Sequence, residues 1–220
     1  FKAVDDVSFT VKKGETVGLV GESGCGKTSL VKTILQLIEP TAGNIILNGQ
    51  NLTRISPKQM QVLRKDLQIV FQDPYGSLNP RLTIGKAILE PMQVHTVLKN
   101  EQQRKNKVYE LLEKVNLSCD FYNRYPHQFS GGQRQRICIA RALALDPTFL
   151  IFDESVSALD VSAQAQVLNL LSDLRKEFGF SAVFISHNLA VVHYFCDRIM
   201  VMQQGRIIEE GNHDSLLLQK

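Results

Sequence analysis

Gly21-Glu22-Ser23-Gly24-Cys25-Gly26-Lys27-Thr28 is the stretch on which the fold turns. It fits the pattern G-x-x-x-x-G-K-S/T at every fixed position. An apolar run, Thr16-Val17-Gly18-Leu19-Val20, precedes it, and a helix-like stretch, Ser29-Leu30-Val31-Lys32-Thr33-Ile34-Leu35, follows. Strand, glycine loop and helix, in that order, form the setting in which this pattern cradles a polyphosphate. Gly21, Gly24 and Gly26 carry no side chain, so the backbone can bend tightly and approach an anion. The N–H groups of the loop (Glu22, Ser23, Cys25) and of the helix start as far as Ser29 then face that anion. Lys27 supplies a mobile cation for the β- and γ-phosphates, and Thr28 a hydroxyl for Mg²⁺.

Outward from the loop, the pattern is that of an α/β chain. Val7, Phe9 and Val11 alternate as a strand does, and Lys13-Gly14-Glu15 turns into the strand before the loop. Pro40-Thr41-Ala42-Gly43 ends the first helix. Residues 44–47 with Asn48-Gly49 read as a further strand and turn, giving an antiparallel β portion at the N-terminus. Residues 67–71 form a short apolar strand ending at Gln72, and Asp73 to Pro80 reads as loop. Val108, Leu111, Leu112 and Val115 then recur at helical spacing between charged residues. Residues 77–145 are therefore expected to be an inserted α-helical subdomain in a core of residues 1–76 and 146–220, the whole being a single domain. The core resumes at Thr148 with the run Phe149-Leu150-Ile151-Phe152. A helix over 162–177, a strand over 182–185 and strands near 199–202 and 206–208 complete it. Strands alternating with helices predict a mainly parallel sheet covered on both faces.

Composition sets bounds. The 220 residues suffice for one sizeable domain, and 44% hydrophobic with 21% charged residues is a globular balance. The net charge is only +3, Trp is absent and no basic run is interleaved with aromatics, so no nucleic-acid partner is expected. No apolar stretch reaches the roughly 18 residues that span a bilayer. Phe1-Lys2-Ala3-Val4-Asp5-Asp6 is no signal peptide. It opens abruptly in a strand-like stretch without Met, so the natural chain is expected to begin further upstream. Cys25, Cys119, Cys138 and Cys196 form no C-x-x-C and have no zinc-like spacing to His, which reads as reduced thiols in a cytosolic protein. Cys25 would be an alkylation target if its thiolate is favoured in the loop.

Further chemistry lies at the ends of apolar runs. Asp153 and Glu154 follow Phe149–Phe152, and a buried parallel strand delivers such groups beside a phosphate loop. Asp153 suits a Mg²⁺ ligand and Glu154 a general base for water; without a phosphate loop, the same pair is commonly a solvated turn. Gln72 could orient water or touch Mg²⁺, or be an ordinary loop residue. His187, after Val183-Phe184-Ile185-Ser186, could hold a γ-phosphate or the water, or be structural; His95, His127, His193 and His213 read as structural. Ser130-Gly131-Gly132-Gln133 opens a helix that Ser130 can cap, with two glycines baring N–H groups to an anion. Because the phosphate loop already has its own helix N-terminus, a second one implies a second surface, most simply facing another subunit's nucleotide. The plain reading of these four residues is a capped helix with a glycine turn.

Taken together, these pieces resemble the ATP-binding subunits of ABC transporters along essentially the whole chain. Gly21 to Thr28 match the Walker A motif, Gln72 the Q-loop, and Ser130 to Gln133 the signature motif, with Phe129 where Leu is usual. Leu150 to Asp153 match Walker B, Glu154 the catalytic glutamate, Ser157-Ala158-Leu159-Asp160 the D-loop, and His187 the switch histidine. Finer features resemble the oligopeptide/dipeptide/nickel importer branch: Phe71-Gln72-Asp73-Pro74 with Ser77-Leu78-Asn79-Pro80-Arg81, residues 157–162 with Gln164-Ala165-Gln166-Val167, and Ser186-His187-Asn188-Leu189. The resemblance implies a phosphate-loop NTPase core and two cassettes that sandwich two ATP molecules with Mg²⁺. Each site would use one subunit's phosphate loop and the other's signature motif. The implied partners are a second ATPase subunit or domain, transmembrane permeases docked on the helical insert, and indirectly a solute-binding protein, at the cytoplasmic face of the inner membrane. The implied activity is ATP hydrolysis that powers import of peptides or a similar small solute. The alternatives are a non-transport ABC ATPase of DNA repair or translation, and a solute exporter. Three departures stand out. Ser155 occupies a position where this branch usually has Pro. Phe1 is the one candidate for the adenine-stacking aromatic and lies too close to the first strand. The chain ends at Lys220, before the extension many peptide importers carry.

Overall fold

The computed structural model describes residues 2–212. In chain order the elements are β1 (Thr16–Val20), α1 (Lys27–Ile34), β2 (Ile46–Leu47), β3 (Gln50–Asn51), α2 (Pro57–Leu63), β4 (Leu67–Val70), α3 (Pro74–Ser77), α4 (Ile84–Val94) and α5 (Glu101–Lys114). After two 3₁₀ turns come α6 (Gly131–Leu143), β5 (Phe149–Asp153), α7 (Val161–Phe178), β6 (Ser181–Ile185), α8 (Leu189–Phe195), β7 (Arg198–Gln203) and β8 (Arg206–Gly211).

The main sheet has the spatial order β4-β5-β6-β1-β7-β8, parallel throughout except for β8 against β7. Strands β1 and β6 are buried at every residue, as an apolar run must be when both sheet faces are covered. Successive side chains divide between those faces. Leu150, Phe152, Ala182 and Phe184 point into one apolar cluster, which continues through Ile137 of α6 to Ile84, Ile88 and Met92 of α4. Val17, Leu19, Ile151, Val183 and Ile185 point into the other, with Leu30 and Val31 of α1, Met60 of α2, and Val7, Phe9 and Val11.

Three expectations are corrected. Residues 7–12 alternate in burial as the sequence suggests but form no strand; the Thr10 carbonyl accepts the Arg198 guanidinium, and no ladder partner lies alongside among the described residues. The antiparallel portion near the N-terminus is the β2–β3 hairpin, at the strand and turn expected over residues 44–49, with Ile46 opposite Asn51. The first helix stops at Ile34, ahead of the Pro40–Gly43 turn, with Gln36 at φ 53°. Residues 73–80 are not all loop, because the Asp73 carboxylate accepts the N–H groups of Tyr75 and Gly76 and starts the single turn of α3 at Pro74. Readings placed on Phe1, His213 and the end at Lys220 lie outside the described residues.

Candidate active site

Four neighbouring parallel strands, β4, β5, β6 and β1, end at one edge of the sheet. At or just beyond those ends come Gln72, Asp153 with Glu154, His187, and the loop that starts at Gly21. Strands about 4.8 Å apart deliver these groups within reach of one another. Register makes this concrete: Phe152 lies beside Val70, and Asp153 beside Ile185.

In the phosphate loop, Gly24 and Gly26 take φ of 79° and 114°, backbone that a side chain would strain. Gly26 is the N-cap of α1, which has no side-chain cap and no acidic residue in its first turn. The first amides of α1 therefore lack an internal acceptor and favour an anion. Lys27 is only 6% exposed. Its ammonium donates to the carbonyls of Gly21 at 2.7 Å and Glu22 at 2.8 Å and lies 3.7 Å from Cys25 Sγ. The loop is thus folded around its own lysine. Glu22, Ser23 and Thr28 are exposed and Ser29 is half-buried, whereas Cys25 is buried, so alkylation there requires the loop to open.

Glu154 is the hub of the strand-end groups. Its backbone takes φ of 47°, uncommon for a residue with a side chain, and its N–H is tied to the Ile185 carbonyl at 3.1 Å. Its carboxylate accepts from Gln72 Nε2 at 3.2 Å and lies 3.5 Å from His187 Nδ1. Ser157 Oγ donates to the Glu154 carbonyl at 2.8 Å and itself sits 3.4 Å from Gln72 Nε2. Gln72, Glu154 and His187, picked out separately in the sequence, are brought together. Ser157 was read only as part of a motif; the hydroxyl three positions after Glu154 is the signal for its turn. Ser155 is 3% exposed, and its hydroxyl finds no partner among the described residues.

The Asp153 carboxyl is pushed above the usual carboxylate range by burial first and then by the Glu154 charge, with Lys27 and Lys32 opposing. A carboxyl whose pKa is raised by folding is easier to ionise in the unfolded chain, so it costs folded stability once pH exceeds its unfolded value, fully so above its folded one. Asp153→Asn should therefore raise the melting temperature of the nucleotide-free protein at pH 8 and lose that advantage below pH 4. The same variant should lose the added stability that MgATP confers on the native protein, which thermal scans with and without MgATP would check.

Ser130 caps α6 as the sequence suggests. Its Oγ accepts the Gln133 N–H at 3.3 Å, and Gln133 Oε1 accepts the Ser130 N–H at 3.0 Å. Ser130, Gly132 and Gln133 line a cavity of about 270 Å³ whose wall holds no phosphate-loop residue. Gly21, Glu22, Ser23 and His187 border a different groove, of about 680 Å³. Within one chain, these two sets of anion-facing groups are not brought together.

The donor set fits a nucleotide with Mg²⁺. No three His, Cys, Asp or Glu side chains among the described residues cluster to hold a metal alone. Mg²⁺ is ordinarily bound through one or two carboxylates, phosphate oxygens and water, so Asp153 and Thr28 with a bound polyphosphate would suffice. An uncapped helix start wrapped on a buried lysine after β1, with carboxylates at the end of β5, one strand beyond the neighbouring β6, defines a phosphate-loop ATPase.

The chain belongs to the ABC transporter family, whose model matches residues 4–157. It is 52% identical to the oligopeptide transport ATP-binding protein OppF of Bacillus subtilis, over 98% of this chain and 71% of that protein. It is 51% identical to the dipeptide transport ATP-binding protein DppF of Escherichia coli, over 98% of this chain and 64% of that protein. Among solved structures, a dimeric ATP-binding cassette in a post-hydrolysis state bound to ADP and phosphate superposes with a TM-score of 0.85 at 30% identity, covering 96% of this chain and 90% of that one. CbiO1 of Clostridium perfringens, part of the ABC transporter complex cbiONQ, superposes with a TM-score of 0.89 at 27% identity, covering 99% of this chain and 84% of that one. The fold is thus one that binds adenine nucleotides, and the chain is an ATP-hydrolysing cassette of this family. No described helix is long and apolar enough to cross a membrane.

Proposed function

We propose that this chain is the ATPase subunit of a peptide importer, working as one of two cassettes at the cytoplasmic face of the inner membrane beneath permease subunits. Relatives that transport oligopeptides and dipeptides, each at about half identity, support that reading. They lend nothing to the DNA-repair, translation or exporter alternatives. The observation that carries the catalytic part is the convergence of Gln72 and His187 on the Glu154 carboxylate beside the phosphate loop.

ATP would enter with its phosphates over the first turn of α1. Lys27 would exchange the Gly21 and Glu22 carbonyls for β- and γ-phosphate oxygens, and the loop amides would take the remaining charge. Thr28, Asp153 and Gln72 would hold Mg²⁺, which would neutralise the charge that develops on the phosphates. Glu154 would take the proton of the attacking water as its oxygen bonds to the γ-phosphorus and the bond to the β-phosphate oxygen breaks. His187, within reach of Glu154, would fix the γ-phosphate or the water. Ser130, Gly131, Gly132 and Gln133 would grip the nucleotide of the partner cassette. The helical stretch from about residue 77 to 145 would dock the permeases, with Gln72 linking it to the Mg²⁺ site.

Two experiments test this. In a strain whose required amino acid is supplied only as a di- or oligopeptide, loss of the gene should abolish growth on peptide and leave growth on the free amino acid intact. Unchanged uptake of labelled peptides would overturn the import reading. Ser130→Arg should block ATP-driven dimer formation by bulk and misplaced charge while the monomer keeps its MgATP affinity. A monomer that loses affinity as severely as Lys27→Ala would place Ser130 in its own subunit's site.

A further inference from the structure

The geometry points to Ala163 and Gln166, on the first turns of α7, as positioning residues for the Ser130–Gln133 turn. The seat is a direct one. A Cβ added to Gly132 would lie 3.3 Å from Ala163 Cβ, and one added to Gly131 would lie 3.6 Å from a methyl of Leu159. The start of α6 therefore rests on the loop and helix that follow Glu154. Ala163 is itself fixed, because the Asp160 cap accepts its N–H at 2.8 Å. Ser157 ties the beginning of the same loop to the Glu154 carbonyl.

Beside this contact an open cleft of about 270 Å³, lined by Ser130, Gly132, Gln133, Arg136, Ala163 and Gln166, separates the two helices. What links the two helices along its wall is a single hydrogen bond, from Arg136 Nη2 to Gln166 Oε1 at 2.8 Å. Arg136 Nε is buried and finds no partner among the described residues. Gln166 is thus the acceptor that holds the guanidinium, and through it the second turn of α6, against α7. The height and tilt of the Ser130 turn follow from residue size at 163 and from hydrogen bonding at 166. Neither residue touches the phosphate loop of its own subunit. This rests on the reading that the turn acts on the partner's nucleotide, where a displacement of about 1 Å can cost as much as 100-fold in rate.

The test uses the full-length protein carrying Ala163→Val, Gln166→Ala, Gln166→Glu or Ser130→Arg. Three readouts are taken: MgATP affinity of the monomer, melting temperature, and ATP-driven dimer formation with steady-state kcat and KM. Ala163→Val and Gln166→Ala should leave monomer affinity as it is and shift the melting temperature by no more than a few degrees, while dimer formation and kcat fall about tenfold through displacement of the turn. Gln166→Glu should restore both, because a carboxylate accepts the Arg136 guanidinium at least as well as an amide does. If the two variants dimerise and turn over normally while Ser130→Arg fails, the seat has no positioning role. A parallel loss of melting temperature and monomer affinity, without rescue by Gln166→Glu, would reduce it to folding and equally overturn the inference. Normal dimer formation by Ser130→Arg would instead bring down the cross-subunit reading on which it rests.

Discussion

Lys27→Ala is expected to abolish productive MgATP binding, with affinity falling by about 100-fold or more. Truncating one member of a buried, hydrogen-bonded charge pair costs roughly 2–5 kcal/mol, and the Lys27 ammonium is buried and carries three donors. The substitution acts twice. It removes the cation that would meet the β- and γ-phosphates, and it frees the Gly21 and Glu22 carbonyls that the ammonium now holds. The nucleotide-free loop thereby loses the ties that fold it around residue 27. Isothermal titration of MgATP, with a melting curve to show that the fold survives, checks this. Unchanged affinity and turnover would remove the loop from the site altogether.

Glu154→Gln is expected to slow the chemical step by about 10²–10⁴-fold while nucleotide still binds. Glutamine keeps the shape and can still meet Gln72 and His187, yet it cannot accept the proton of the attacking water. ATP should therefore hold the two cassettes together instead of being consumed, and the dimer should accumulate in gel filtration with MgATP. Single-turnover assays measure the chemical step apart from binding and release. Near-native turnover there would move the base to another residue.

The parts of this site that were legible in the sequence are those whose chemistry is written locally. The glycine loop, the lysine and the helix behind it occupy consecutive residues, and the Asp153-Glu154 pair announces itself by ending an apolar run. Gln72 and His187 also end apolar runs, which marked them as candidates. Their meeting at Glu154 depends on β4, β5 and β6 lying side by side, an arrangement set by long-range crossovers that no local pattern displays. The N-terminal alternation of Val7, Phe9 and Val11 specified which side chains turn inward. It could not specify a strand, because a strand is made by its neighbour. Helices α2 and α8 escaped notice because seven residues are too few for a helical period to stand out. The Ser56–Gln59 capping box with Pro57 at the first position was the available sign of α2.

The backbone at Glu154 carries a consequence of another kind. A left-handed conformation costs a residue with a side chain about 1–2 kcal/mol, and glycine far less. Selection for folding alone would place glycine or asparagine at this corner, where the chain leaves β5 and bonds back to Ile185. A glutamate persists there at the expense of the folded state. Stability and turnover therefore pull in opposite directions at this position, and screens for thermostable variants of this cassette will tend to enrich inactive ones here.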